Sequence, residues 1–259
     1  MIQITNLQKS YGSVNAVKKI SLTIPPGQIC GYLGPNGAGK TTTVRMLTGM
    51  MPIDSGKAVI AGVDVSENPL LVKQQIGVVP ESGALYQSLT PFEYLQFVGR
   101  LYHMGEKEIE RRIRDFSDIF DMNSRLHNRM TTFSKGQKQQ VVIIGALLHN
   151  PRVIFMDEPL NGLDANTALL LKELIRHLAG KGKTIFYCSH VLEVVENLCD
   201  RVVIINKGEI VADGSVDELK SMTKHSSLEG VFSQLTQDRD MAALAKVLSQ
   251  KITETEWAI

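Results

Sequence analysis

Gly34-Pro35-Asn36-Gly37-Ala38-Gly39-Lys40-Thr41 follows a compact apolar run at 29–33 and precedes a helical pattern at 41–48, which stops at Gly49 with Pro52 beyond. The eight residues match the phosphate-loop pattern G-x-x-x-x-G-K-[ST], in the strand, loop, helix setting that the pattern requires. Glycines let successive backbone N–H groups turn inward on one anion, and a helix beginning near Lys40 aims its positive end at the same place. Lys40 is expected to reach the outer phosphates of a nucleotide, and the Thr41 hydroxyl to ligate Mg2+. The loop alone leaves the base open. Asn206-Lys207-Gly208-Glu209 comes near a guanine-reading Asn-Lys-x-Asp element, but it ends in Glu and reads better as the turn of a hairpin.

On the N-terminal side, apolar residues at 2–29 alternate or cluster in short stretches broken by Tyr11-Gly12 and Pro25-Pro26-Gly27, which predicts short antiparallel strands. Residues 90–150 become mostly helical, with Ile109, Ile113, Phe116 and Phe120 spaced by three and four. After Pro151 strands at 153–156, 184–188 and 202–206 alternate with helices at 166–178 and 191–198, and 209–212 closes the hairpin. Strands alternating with helices predict a mostly parallel sheet with helices on both faces. Beyond Lys224 the periodicity weakens, apart from one amphipathic stretch at 241–248, so the tail reads as an appendage.

The 259 residues suffice for one sizeable core. Lys and Arg number 28 against 27 Asp and Glu, a net charge of +1, which gives no excess of positive charge for a nucleic acid, and none is expected as a partner. Cys30, Cys188 and Cys199 lie far apart among apolar neighbours, as small buried hydrophobes in a reducing cytosol do. Apolar runs such as 141–148 fall far below the roughly 20 residues of a membrane span, and no basic leader opens the sequence. A chain that neither crosses nor enters a membrane unaided is expected.

A second buried strand, at 153–156, runs into Asp157-Glu158. Asp157 is placed to hold the magnesium shell, and Glu158 to polarise an attacking water. Phe133-Ser134-Lys135-Gly136-Gln137, followed by a helix at 139–148, resembles the LSGGQ signature that marks ABC ATPases. Ser134 and Gly136 with the helix start form an anion site of the same kind as the phosphate loop, although an N-cap serine looks alike locally. The resemblance covers about residues 2–220.

That resemblance implies a composite site. ATP would be held by Gly34, Pro35, Asn36, Gly37, Ala38, Gly39, Lys40, Thr41 and Thr42 of one chain and by Ser134, Gly136 and Gln137 of another. Tyr11 resembles the aromatic that stacks on adenine, and His190 the histidine that contacts the γ-phosphate. Asp164 of Asn161-Gly162-Leu163-Asp164 resembles the loop that crosses the dimer interface, and it is equally placed to cap the next helix. Glu81 stands where the family usually has a magnesium-contacting glutamine, and a carboxylate is a competent ligand there. The fold implied is a P-loop NTPase core of the α/β class with an N-terminal antiparallel β subdomain and a helical signature subdomain at about 88–150. The ATPase domain takes 1–223 and a C-terminal extension 224–259.

Glu81, Lys135, Phe133 and Gln140 depart from the common family pattern, and together with the tail segment Ser227-Leu228-Glu229-Gly230-Val231-Phe232 they resemble the ABC-2 type exporter branch. The resemblance implies an ATPase subunit, most simply a homodimer, which powers export through a separate membrane permease from the cytoplasmic face. Gly83, Leu85 and Tyr86 are candidate permease contacts. Two alternatives stay open: a soluble ABC ATPase acting on ribosomes or nucleic acid, and a subunit active only in a heteromeric pair.

Overall fold

The computed structural model describes residues 1–81, 85–236, 245, 249 and 250. The chain opens with β1 (Ile2–Tyr11) and β2 (Val14–Ile24), followed by β3 (Ile29–Leu33), α1 (Lys40–Leu47), β4 (Ser55–Ile60), β5 (Val63–Asp64), α2 (Pro69–Gln75) and β6 (Ile76–Val79). Next come α3 (Pro91–Leu101), α4 (Glu106–Ile119), two 3-10 turns at Asn123–Arg125 and Met130–Thr132, and α5 (Lys135–Leu147). The last part holds β7 (Val153–Asp157), α6 (Ala165–Gly180), β8 (Thr184–Cys188), α7 (Leu192–Leu198), β9 (Arg201–Asn206), β10 (Glu209–Gly214), α8 (Val216–Thr223) and α9 (Leu228–Thr236).

Two sheets result. β2-β1-β4-β5 is antiparallel, and β10-β9-β3-β8-β7-β6 is parallel except for the β9–β10 hairpin. β1 and β2 are longer than the short strands expected, because Asn6 and Lys19 take positive φ and register shifts let the pair bend instead of stopping. The Lys207-Gly208 turn, with positive φ at both residues, closes β9 on β10. That turn, and not a base-reading element, is the role of Asn206-Lys207-Gly208-Glu209.

Strand alternation sorts the central sheet between two cores. Ile29, Leu33, Ile154, Met156, Ile185, Tyr187, Val202 and Ile204 face α5, α6, α7 and α9, with the helical subdomain beyond. Cys30, Tyr32, Val153, Phe155, Phe186, Cys188, Val203 and Ile205 face the other way. On that side α1 and α2 share the cover with the antiparallel sheet, which contributes Ile2, Leu7, Leu22, Ile24 and Ile60. All three cysteines are free and buried. Among the described residues no helix is long and apolar enough to cross a membrane.

α5 begins at Lys135, ahead of the start expected at 139, because Ser134 and Gln137 form a reciprocal capping box. The tail differs from an appendage as far as Thr236. Leu228 and Val231 of α9 are fully buried in the main core, and Leu228 N donates to Glu196 Oε2 of α7 at 3.2 Å. Asn206 Nδ2 donates to Leu235 O at 3.3 Å. The signal was weak because α9 is only nine residues long and part of its cover comes from α7, 32 residues back in the chain at the Leu228–Glu196 contact. The amphipathic stretch expected at 241–248 lies, but for Ala245, outside the described residues, as does Gly83. Leu228→Ala is expected to lower unfolding free energy by about 2–5 kcal/mol in urea titration; an unchanged midpoint would mean that the tail stands apart.

Candidate active site

The C-terminal ends of parallel strands place the site. β3 runs into the phosphate loop, whose Gly39 has a φ of 110° and whose Cβ, if present, would lie 2.5 Å from Ala16 O. Only glycine fits both conditions. Gly208 N donates to Ala38 O at 3.0 Å, so the β9–β10 turn braces the loop from behind. Thr43 Oγ1 donates to Gly39 O at 2.9 Å and pins the first turn of α1 to the loop. Lys40 Nζ donates to Gly34 O at 2.6 Å and to Pro35 O at 3.2 Å, which holds its ammonium at the loop mouth.

β7 and β8 pair in parallel, so Asp157 lies opposite Cys188, and the residues beyond each strand meet. Glu158 takes a positive φ of 50°, a costly conformation for a non-glycine residue, and it is buried. Its N–H donates to Cys188 O at 2.9 Å. Its Oε1 accepts from His190 N at 2.6 Å and meets His190 Nδ1 at 2.7 Å, while Oε2 accepts from Ser189 Oγ at 3.0 Å. Two lone pairs of Oε1 and one of Oε2 are thus used, which leaves one on Oε2 for a water.

A cavity of about 500 Å³ is lined by Pro35, Asn36, Gly37, Gly39, Lys40, Thr41, Thr42, Glu81, Asp157, Glu158 and His190, with Ala16. Gly34 and Ala38 are buried under the loop, where they shape its turn. Ala16 and Ser189 were not legible as site residues in the sequence. Ser189 offered one signal, a hydroxyl just past a buried strand beside His190; Ala16 offered none, since its place depends on β2 crossing the loop.

The remaining candidates are elsewhere. Ser134, Gly136, Gln137 and Asp164 line a second cavity of about 490 Å³ with Asp121, Arg125, Gln140 and Thr167, and the two linings share no residue. Ser134 Oγ accepts from Gln137 N at 3.2 Å, which leaves its O–H to donate outward at the start of α5. A Cβ on Gly136 would lie 2.1 Å from Gly162 O, so the signature turn and the loop at 161–164 are pressed together. Asp164 is the N-cap of α6, accepting from Asn166 N and Thr167 N at 3.0 Å each. Gln140 Nε2 donates to Thr167 Oγ1 at 3.2 Å and adds a further tie between α5 and α6. Tyr11, at the end of β1, is half exposed and lies outside both linings.

Residues 17–161 match the family model described as ABC transporter. The chain belongs to the ABC transporter family. It is 39% identical over 238 residues to the ABC transporter ATP-binding protein NatA of Bacillus subtilis (strain 168), covering 90% of this chain and 96% of that protein. It is 36% identical over 214 residues to the Nod factor export ATP-binding protein I of Rhizobium sp. (strain N33), covering 83% of this chain and 70% of that one. A solved ATP-binding subunit of an ABC transporter superposes with a TM-score of 0.87 at 30% identity, covering 92% of this chain and 100% of the other. This is an ATP-binding, ATP-hydrolysing subunit of the ABC type.

In this ABC ATPase the donor set fits a divalent cation brought with phosphate. Among the described residues no group of three or more His, Cys, Asp or Glu can hold a metal alone. Thr41 and Asp157 beside a phosphate are what magnesium takes, since it uses one or two protein ligands plus phosphate and water. The Asp157 carboxylate has no hydrogen-bond or ion-pair partner among the described residues. Burial first, then the negative charges of Glu81 and Glu158, push its carboxyl up from 3.8 to about 6 against the pull of Lys40 and Arg45. Between pH 3.8 and 6 the folded chain therefore holds a proton that the unfolded chain has released, and stability from this group is lost as pH rises through 6. Asp157→Asn is expected to melt a few degrees above the parent at pH 7.5 without nucleotide, with the gap closing toward pH 4, and to hydrolyse ATP poorly. Parallel thermal melts check this; a variant that melts below the parent at pH 7.5 would contradict it.

Proposed function

We propose that the chain powers export through a separate membrane permease, closing head to tail with a second copy around two magnesium-ATP molecules and reopening after hydrolysis. The observation that carries this reading is the division of anion-binding equipment between two cavities that share no residue. One holds the phosphate loop, Lys40 and the acids; the other holds the Ser134 hydroxyl and the N-terminal end of α5. One chain cannot bring both to one phosphate, whereas two chains related by a twofold axis complete two sites at once.

Each residue then has a task. Free backbone N–H groups of the phosphate loop and Lys40 hold the phosphates, and Tyr11 offers its ring to adenine. Thr41 and Asp157 would hold Mg2+, which neutralises phosphate charge, and Glu81 lines the same cavity as a further oxygen ligand. Glu158 takes the proton of the attacking water through the lone pair left on Oε2. His190 holds Glu158 and reaches the terminal phosphate. Ser134, Gly136 and Gln137 receive that phosphate from the other side, with Asp164 at the seam. Phosphate charge neutralised at a drying interface supplies the closing force.

The permease segment is placed in a groove of about 320 Å³ between the core and the helical subdomain, lined by Met50, Lys73, Val78, Tyr94, Leu101 and Tyr102 among others. Beside it exposed Tyr86 packs edge-on against exposed Phe97, with ring centroids 5.9 Å apart. Tyr102 stacks on His149 at 3.5 Å, and His149 Nε2 meets Ile76 O at 2.9 Å, at the start of the strand that leads to Glu81. That is a packed route from groove to cavity. Its place is the cytoplasmic face of the membrane, where ATP is supplied. The similarity to a Nod factor export ATP-binding protein supports the exporter branch.

Glu158→Gln in the purified chain is expected to cut hydrolysis by about 10²- to 10⁴-fold. With magnesium-ATP it should shift light scattering from monomer to dimer, and Lys40→Ala should do neither. A Glu158→Gln chain that binds ATP and stays monomeric contradicts the homomeric reading and points to a different ATPase partner.

A further inference from the structure

The geometry points to Met51 as the positioning residue that sets the Tyr11 ring for adenine, with Asp54 fixing the strand beneath it. This rests on the reading of Tyr11 as the adenine platform. Tyr11 is the last residue of β1, 48% exposed, and followed by Gly12 in a turn, so little packing fixes its ring. Its one polar anchor is distinct: Tyr11 Oη donates to Met51 Sδ at 3.0 Å. Met51 itself is half-buried against the core beneath the antiparallel sheet.

Neighbouring contacts show that the whole segment is a clamp on the end of β1. Asp54 N donates to Gln8 O at 3.2 Å, Asp54 Oδ1 accepts from Lys9 Nζ at 2.6 Å, and Asp54 Oδ2 accepts from Ser10 N at 2.8 Å. These contacts fix the backbone of residues 8–10; among the described residues, Met51 is the hydrogen-bond partner of the ring's hydroxyl. The clamp is anchored in turn on α1, since Met50 N and Met51 N donate to Arg45 O at 2.9 and 3.1 Å. α1 therefore meets phosphate at its N-terminal end, through Lys40 and Thr41, and locates the aromatic through the segment after its C-terminal end. The distance between the two halves of the nucleotide site is set by one short helix. A ring ordered before ligand arrives spares the cost of ordering it on binding. A thioether is a weak, polarisable acceptor on an unbranched stem, able to reach the hydroxyl without fixing a rigid neighbour.

Calorimetric titration of the purified full chain with magnesium-ATP, and separately with magnesium-tripolyphosphate, tests the assignment. Met51→Leu keeps the apolar bulk and removes the acceptor. It is expected to raise the Kd for ATP by about three- to tenfold and to leave tripolyphosphate binding unchanged. Tyr11→Phe should weaken ATP binding to the same extent, the double variant should weaken it no further, and Met51→Gln, whose amide oxygen restores an acceptor, should bind like the parent. Met51→Leu binding ATP like the parent while Tyr11→Ala weakens it overturns the role of Met51 and keeps that of Tyr11. Tyr11→Ala binding ATP like the parent overturns both. Equal loss of tripolyphosphate and ATP binding in Met51→Leu would make Met51 a structural residue only and overturn the proposal.

Discussion

Three carboxylates line the cavity into which a triphosphate must come, and that crowding of negative charge is the constraint the rest of the structure answers. Coulomb repulsion in a half-buried site is several times that in water, so positive charge must be supplied within a few ångströms. The fold supplies it from fixed sources, backbone N–H groups of a loop at a helix start and Lys40 held at the loop mouth, to which a divalent cation bound with the nucleotide would add. The Asp157 carboxyl is pushed up to about 6, first by burial and then by the charges of its two acidic neighbours. Stability is given up at the place where function needs charge.

The same constraint explains why the second cavity lies elsewhere on the chain. A terminal phosphate that keeps uncompensated charge on its outer side attracts further donors, and the Ser134 turn is built as such a donor. Held rigid by its capping box and pressed against Gly162, that turn cannot fold back onto its own phosphate loop. On the proposed two-copy reading, charge left over in one copy becomes adhesive for another. On the same reading hydrolysis, by removing the shared phosphate, would remove the adhesive.

Much of this was legible in the sequence because it is local. Residues 29–41 announce strand, loop and helix by composition and spacing alone, and alternation after Pro151 announces the parallel sheet. Asp157-Glu158 and Ser134 to Gln137 stood out for the same reason, and each contributes to the lining of one of the two cavities. What the residues could not show depends on pairings far apart in the chain. Glu158 takes its left-handed backbone and its hold on Ser189 and His190 only because β7 lies beside β8. Ala16 enters the cavity because β2 crosses the loop, and Tyr11 is tied to Met51 because the segment after α1 returns to β1. α9 carries an apolar face at Leu228, Val231, Phe232 and Leu235, but the surface it packs on, including α7, comes together only in the fold.

The central claim, that the site is shared between two copies, is tested most directly by mixing two crippled chains. Lys40→Ala lacks a working phosphate loop and Gly136→Asp lacks a working signature turn. Each alone should be silent in ATP hydrolysis. In a mixed pair one of the two sites combines an intact loop with an intact turn, so the equimolar mixture should regain up to about a quarter of the parent rate. A Gly136→Asp chain that hydrolyses ATP at the parent rate on its own, or a mixture as silent as its parts, would contradict the account.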